Sequence, residues 1–241
     1  MIHSVTVVMP ALNEERNLET AVENAVNLLT PYTSDWEILI FNDGSTDRTG
    51  EIADRLAASL PNVFAIHHER SLNLGGVYRA GIARAKKEYL IMLPGDNENG
   101  SDTVRRILDR AGEAEIIVPY VVNTGVRPWG RRTLSAAFVA LINLLSGCQL
   151  RYYNGTVLHK TDRLRSVDFK TNGFGYQAEI LVALIRSGST YLEVGVELAQ
   201  REKLGSSALR LRNFIQVAKF LTLLFMQRWR FPQKSALVNF R

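Results

Sequence analysis

Cysteine is nearly absent from this 241-residue chain. A lone Cys148 excludes an internal disulfide framework and points to a reducing compartment, with the thiol read as a small buried hydrophobe. Long apolar runs are missing too: no window reaches about 18 uninterrupted apolar residues, so no spanning helix is expected. The opening stretch, MIHSVTVVMPALNEE, lacks the basic segment and apolar core of a signal peptide, and a cytoplasmic protein is expected. His3, His67, His68 and His159 form no metal-spaced set, and the His67-His68 pair at a strand end reads as structural. No G-x-G-x-x-G fingerprint follows the first strand, which argues against a nicotinamide cofactor. No zinc pattern or aromatic-interleaved RNA motif is present, which argues against a nucleic-acid partner.

What the chain does have is 46% hydrophobic residues, enough for one large domain with a sizeable core. Its net charge of +5 is unevenly spread. Residues 1–126 carry 11 Lys/Arg against 18 Asp/Glu, a net of −7, whereas residues 127–241 carry 18 against 6, a net of +12. A basic second half suits an anionic partner such as lipid headgroups or phosphates, or is simply a solvated face.

The first half alternates between strand and helix patterns. VTVVMP reads as a buried strand ended by Pro10, followed by a helix from about 14 to 29. Strands are expected at 36–42, 62–68, 88–93 and 115–120, with helices at about 47–59, 74–85 and 102–110 between them. This order predicts right-handed βαβ units in a mostly parallel sheet flanked by helices, with ligands at the carboxyl ends of the strands. Pro10–Glu14, Asn42–Thr46 and Gly95–Glu98 then share one edge. In the second half, 123–133 reads as a loop, 134–147 as a nearly all-apolar helix and 155–160 as a short strand. Residues 173–188 read as a loop entering a helix, 190–200 as a strand and 211–230 as a long helix with basic ends.

Three loops carry candidate chemistry. PALNEE (10–15) closes the first strand, with Asn13 either a helix cap or a donor of groups to a nucleotide. NDGSTDRT (42–49) is a turn in which Asp43 can accept hydrogen bonds and Gly44 permits close approach. NLGGVYRAG (73–81) sets two glycines at a helix start, where free N–H groups favour an anion.

Together, VTVVMPALNEERNLE, EILIFNDGSTDRTGEIA, NLGGVYRAGIARAKKEYLIMLPGD and the later REKLGSS resemble the family 2 glycosyltransferases. The subgroup they resemble is the polyprenyl-phosphate sugar synthases of the dolichol-phosphate mannose synthase type. The resemblance implies the GT-A fold over 1–210, with 211–241 as a helical C-terminal appendage. It also implies a nucleotide-sugar donor, a divalent metal (Mg²⁺ or Mn²⁺) and inversion at the sugar carbon. By the same resemblance Pro10, Ala11, Asn13 and Glu14 face the nucleotide, Asp43 contacts base or ribose, and Gly76 and Arg79 lie in the segment approaching the donor. The family's fourth strand ends in an acid-x-acid motif; here Pro94 replaces the first acid, Asp96 matches the second and Glu98 follows two residues later. Asp96 and Glu98, at i and i+2, point the same way in an extended segment and are the expected metal ligands.

On the acceptor side, the resemblance marks Glu179 as the candidate acid and Arg201, with Gly205 and Ser206, as the loop closing over the diphosphate. REKLGSS is one residue longer than the family's loop and lacks its following lysine. A hydroxyl acceptor needs a carboxylate base, whereas a polyprenyl phosphate arrives already ionised. Arg127, Arg131 and Arg132 precede the apolar 134–147 stretch, and Arg210, Arg212, Lys219, Arg228 and Arg230 surround 214–226. With Trp129 and Trp229 these flanks suit helices at a membrane interface, or alternatively core or dimer helices. The expectation is therefore an inverting hexosyltransferase from a UDP- or GDP-sugar to a polyprenyl phosphate, peripheral on the cytoplasmic face of a membrane, with a homo-oligomer as an open alternative to a monomer. Its rivals are transfer to a glycan or small-molecule hydroxyl, with Glu179 as base, and a non-catalytic nucleotide-sugar-binding subunit.

Overall fold

The computed structural model describes residues 3–97, 100–126, 129–173, 175–197 and 222. Seven strands form one sheet: β1 (Val5–Ala11), β2 (Trp36–Asp43), β3 (Val63–His68), β4 (Tyr89–Met92), β5 (Ile116–Val121), β6 (Leu158–Lys160) and β7 (Tyr191–Val196). Their order across the sheet is β3-β2-β1-β4-β6-β5-β7. Only β6 runs antiparallel to its neighbours; the remaining pairings are parallel. Helices α1 (Leu18–Leu29), α2 (Thr49–Ser59), α3 (Asn73–Arg84), α4 (Ser101–Leu108), α5 (Trp129–Ser146), α6 (Thr161–Arg165) and α7 (Tyr176–Arg186) cover it. This is the mostly parallel α/β architecture expected. Residues 211–241 and the expected appendage lie outside the described residues, apart from Thr222.

All seven residues of β1 are buried, as a central parallel strand covered on both faces must be. Its period of two divides them. Val5, Val7, Met9 and Ala11 join α1, α2 and α4 in one core, while Val8 joins α3, α5 and α7 in the other. Helix α3 lies so close to β1 that a Cβ on Gly81 would stand 2.5 Å from Val8 Cγ2.

Three expectations are revised. The first helix begins at Leu18 rather than Glu14, because the amides of Asn13, Glu14 and Glu15 bond the neighbouring loop and a turn at 14–17 leads into the helix. Helix α4 takes Gly100 at its cap position, and Ser101 is already helical. Helix α5 begins at Trp129, inside the stretch read as a loop. There Gly130, Arg132 and Thr133 face outward, and Thr133 Oγ1 donates to the Trp129 carbonyl at 3.1 Å. A solvated first turn tolerates residues whose composition suggests a loop.

His159 on β6 is fully buried. Gln177 Nε2 stands 3.0 Å from its Nε2 and donates to it, so the proton sits on Nδ1, which finds no hydrogen-bond partner. Burial pushes its pKa down to about 3, against an ordinary value of 6.5. The unfolded chain therefore binds a proton that the folded chain refuses. Stability contributed by neutral His159 is complete above pH 6.5 and is lost as pH falls toward 3. The expected slope is about 1.4 kcal/mol per pH unit in this window. Urea melts at stepped pH check this: His159→Phe should flatten the slope relative to the unaltered chain.

Candidate active site

The carboxyl ends of β1, β2, β3 and β4 open onto one edge of the sheet, and the loops leaving them are bonded into a continuous rim. Asn13, at a left-handed φ of 58°, is not the helix cap. Its Oδ1 accepts from Thr46 N at 2.9 Å, while its own N–H donates to Ser45 Oγ at 3.0 Å. Glu14 N donates to Thr49 Oγ1 at 2.8 Å, and Glu15 N to Asp47 Oδ2 at 3.2 Å. Asp47 also accepts from Thr49 N at 3.0 Å, so it holds the first amide of α2. The Glu14 carboxylate accepts from Asn17 Nδ2 at 2.7 Å.

The next tie runs through Asp43, which is buried at the end of β2. Its Oδ1 accepts from His68 Nδ1 at 2.8 Å and Leu72 N at 2.9 Å. Its Oδ2 accepts from Ser71 Oγ at 2.7 Å and Asn73 N at 3.1 Å. Gly44, at φ +80°, lets the two loops meet: a Cβ there would lie 3.0 Å from Ser71 N.

On the other side of β1, Gly95 N donates to the Pro10 carbonyl at 2.9 Å. This bond continues the β1–β4 pairing past the last strand residue and seats Gly95 against Pro10 and Ala11, with Asp96, half-buried, next in the chain. Pro94, at the position of the family's first acid, lines a small crevice with Ala21, Ala25 and Leu28 of α1. Glu98 lies outside the described residues, as do Arg201, Gly205 and Ser206. Among the described residues no group of three or more His, Cys, Asp or Glu side chains forms a metal cage. Asp96 supplies one hard oxygen donor, which suits a cation taking its remaining ligands from a diphosphate and water. Among the described residues the donor set thus fits a metal shared with a ligand, not one held by protein alone.

Residues 169–172 form a strap over α3. Asn172 O accepts from Gly75 N at 3.0 Å, and a Cβ on Gly75 would stand 2.2 Å from the Thr171 carbonyl oxygen. Gly76, the next position, packs on Leu72. The Arg79 guanidinium donates to Phe169 O at 2.8 Å and Asn172 Oδ1 at 3.2 Å, and lies 4.7 Å over the Phe169 ring. Glu179, buried in the first turn of α7, accepts from Lys170 N at 3.1 Å and Thr171 N at 2.9 Å. Both of its oxygens are therefore engaged in holding the strap.

The fold brings together Pro10, Ala11, Asn13, Glu14, Asp43 and Asp96 along the rim, with Gly76, Arg79 and Glu179 grouped at the strap. Sequence reasoning missed Ser71, Phe169 and Asn172. Each acts through a contact some thirty to ninety residues distant in sequence, and no local pattern marks it.

This architecture has counterparts. The chain belongs to glycosyl transferase family 2, whose family profile matches residues 6–173, and it is a glycosyltransferase. A polyprenol monophosphomannose synthase from Mycolicibacterium smegmatis is 31% identical over 212 residues, spanning 81% of this chain and 77% of that protein. An undecaprenyl-phosphate mannosyltransferase from Micrococcus luteus is 25% identical over 214 residues, spanning 84% of this chain and 86% of that one. Glucosyl-3-phosphoglycerate synthase from Mycobacterium tuberculosis superimposes with a TM-score of 0.62 at 21% identity, over 97% of this chain and 82% of its own. It has also been solved with Mn²⁺, uridine diphosphate and phosphoglyceric acid. At that identity the likeness establishes the GT-A fold.

Two substitutions probe the strap. Gly75→Ala forces a methyl into the Thr171 carbonyl and should release 169–172, read as faster amide exchange at residues 170 and 171. Glu179→Gln sets an amide N–H against a backbone N–H and should cost about 1–3 kcal/mol, measured as a lowered Tm.

Proposed function

We propose that this glycosyltransferase moves a hexose from a UDP- or GDP-sugar to a polyprenyl phosphate, with inversion at the anomeric carbon. The similarity to two polyprenyl-phosphate mannosyltransferases over four-fifths of the chain favours that acceptor. The observation that carries the choice over a hydroxyl acceptor is the structural role of Glu179, each of whose oxygens holds one backbone N–H of the strap. A hydroxyl nucleophile needs a free base, whereas an acceptor phosphate attacks already ionised.

In this reading the rim from Asn13 to Asp96 receives the nucleotide diphosphate, and the strap borders the acceptor. The neighbour solved with Mn²⁺ and uridine diphosphate supports a divalent cation here. Held by Asp96, with Glu98, such an ion would neutralise charge on the departing diphosphate. Arg201 and Ser206 are assigned to the same diphosphate.

The membrane contact is assigned to α5. No helix among the described residues is long and apolar enough to cross a membrane. Yet Trp129 is 80% and Leu144 67% exposed, with Leu134 and Leu141 also exposed. At roughly 100° per residue these side chains, with Ala137 and Ala140, fall within one arc of the helix, and Arg132 borders it. An apolar arc beside basic residues suits an anionic lipid surface. Replacing Trp129, Leu141 and Leu144 together by Ser, Gln and Gln should weaken binding to phosphatidylglycerol vesicles by about tenfold or more in flotation assays.

The central experiment is a transfer assay with radiolabelled UDP- and GDP-sugars and detergent-solubilised polyprenyl phosphate, with and without Mn²⁺. Metal-dependent label in the organic phase is the expected result. Label appearing only in soluble product would move the acceptor to a hydroxyl compound. Donor binding without any turnover would overturn the catalytic reading. In the same assay Glu179→Gln should lower kcat several-fold without abolishing it, consistent with a residue that positions rather than deprotonates.

A further inference from the structure

Resting on the reading of Asp96 as a ligand of the cation, we propose that Asn24 on α1 is a positioning residue for the reaction. Its bond to Asn97 holds the turn that carries Asp96, and so sets how strongly a divalent cation joins the bound nucleotide.

The entry to the turn is fixed by backbone alone. Leu93 N donates to the Val8 carbonyl at 3.0 Å and Gly95 N to the Pro10 carbonyl at 2.9 Å, so the chain is tied to β1 up to the residue before Asp96. Asn97 N then donates to the Pro94 carbonyl at 3.2 Å and closes a turn around Gly95 and Asp96. The exit has a different anchor. Asn97 stands at a left-handed φ of 55°, a conformation that asparagine tolerates better than most side chains. Its Oδ1 accepts from Asn24 Nδ2 at 3.1 Å, across 73 residues of sequence. Asp96 therefore lies between two anchors, one on the sheet and one on α1.

Asparagine is an unexpected residue at this place in α1. It follows Ala21 by three residues and precedes Leu28 by four, so it shares their face. With them, Leu93 and Val104 it lines the crevice between α1 and α4. An apolar side chain there would extend the buried stripe of α1 and favour the helix more than asparagine does. The amide gives up that packing for one long-range bond, and the bond goes to the residue after Asp96.

The site makes such support matter. Pro94 holds the position of the family's first acid, so Asp96 has no carboxylate partner there with which to share a cation. A ligand on a loosely held turn must be ordered by the cation itself. Apparent affinity then scales with the fraction of chains in which the turn is already in place.

The test is calorimetric titration of the full chain with UDP and with GDP, each in Mn²⁺ and in EDTA. For the nucleotide that binds, the ratio of the two affinities measures how far the cation helps, and thermal melts report stability separately. Asn24→Leu should leave Tm unchanged or raised, because leucine extends the apolar face, yet lower the ratio about threefold. Asn97→Gly keeps the left-handed backbone open while removing the amide, and should lower the ratio by a similar factor. The two together should cost no more than either alone, since each removes the same bond. Affinity in EDTA should stay as it was, and Asp96→Asn should bring the ratio close to one. If the leucine variant is unfolded, Asn24→Ala and Asn97→Gly decide.

A ratio that Asp96→Asn abolishes but the Asn24 and Asn97 variants leave intact would overturn the role of Asn24 and leave the cation reading standing. Losses that add in the double variant would do the same. A ratio of one in the unaltered chain, or one that survives Asp96→Asn, would overturn the cation reading and this inference with it.

Discussion

The pairing of β1 on both edges is the constraint on which the rest of the molecule depends. Val5–Ala11 runs parallel to β2 along its whole length and to β4 along its first half, and every residue is buried. Because the strand is saturated in this way, its carboxyl end has one direction to leave, and the loops of β2 and β4 must leave beside it. The Pro10 carbonyl, still bonded to Gly95 after the strand pairing stops, carries that alignment into the site. Rim geometry is therefore a consequence of sheet geometry.

Carboxylates in this protein serve mainly as ties. Asp43 gathers four donors from His68 and the turn before α3, and Glu179 gathers two amides from the strap. Glu37, buried near the opposite end of the sheet, accepts from Thr6 Oγ1 and Lys86 N. A carboxylate accepting backbone N–H groups replaces the water it lost on burial and fixes a loop at the same time. Such residues look like acids and bases in sequence because the residue type is the same. What separates the roles is whether any lone pair remains for a ligand.

The same distinction applies to the arginine in α3. The resemblance sets Arg79 in the segment approaching the donor, yet its fork is spent on Phe169 and Asn172. It joins the first half of the chain to the strap from the second, so α3 and the strap are held together. Gly75 contributes by absence, since only a residue without Cβ admits the Thr171 carbonyl so close.

The strand and helix order of the first half was legible because the signals are local: the short β-branched run of β1, buried throughout, and the apolar stripe of α1 are each written within a dozen residues. Motif order likewise identified the family and brought Pro10, Asn13, Asp43 and Asp96 to one edge. The sequence alone could not decide that α5 starts at Trp129, that β6 runs antiparallel, or that Asn13 bonds the neighbouring loop instead of capping a helix. Nor could it tell that Asp43 accepts four hydrogen bonds from its own chain, or that Glu179 holds two amides of the strap. Hydrogen-bond partners thirty or more residues apart are chosen by the packing of the sheet, and occupancy of a lone pair is a property of that packing rather than of the residue.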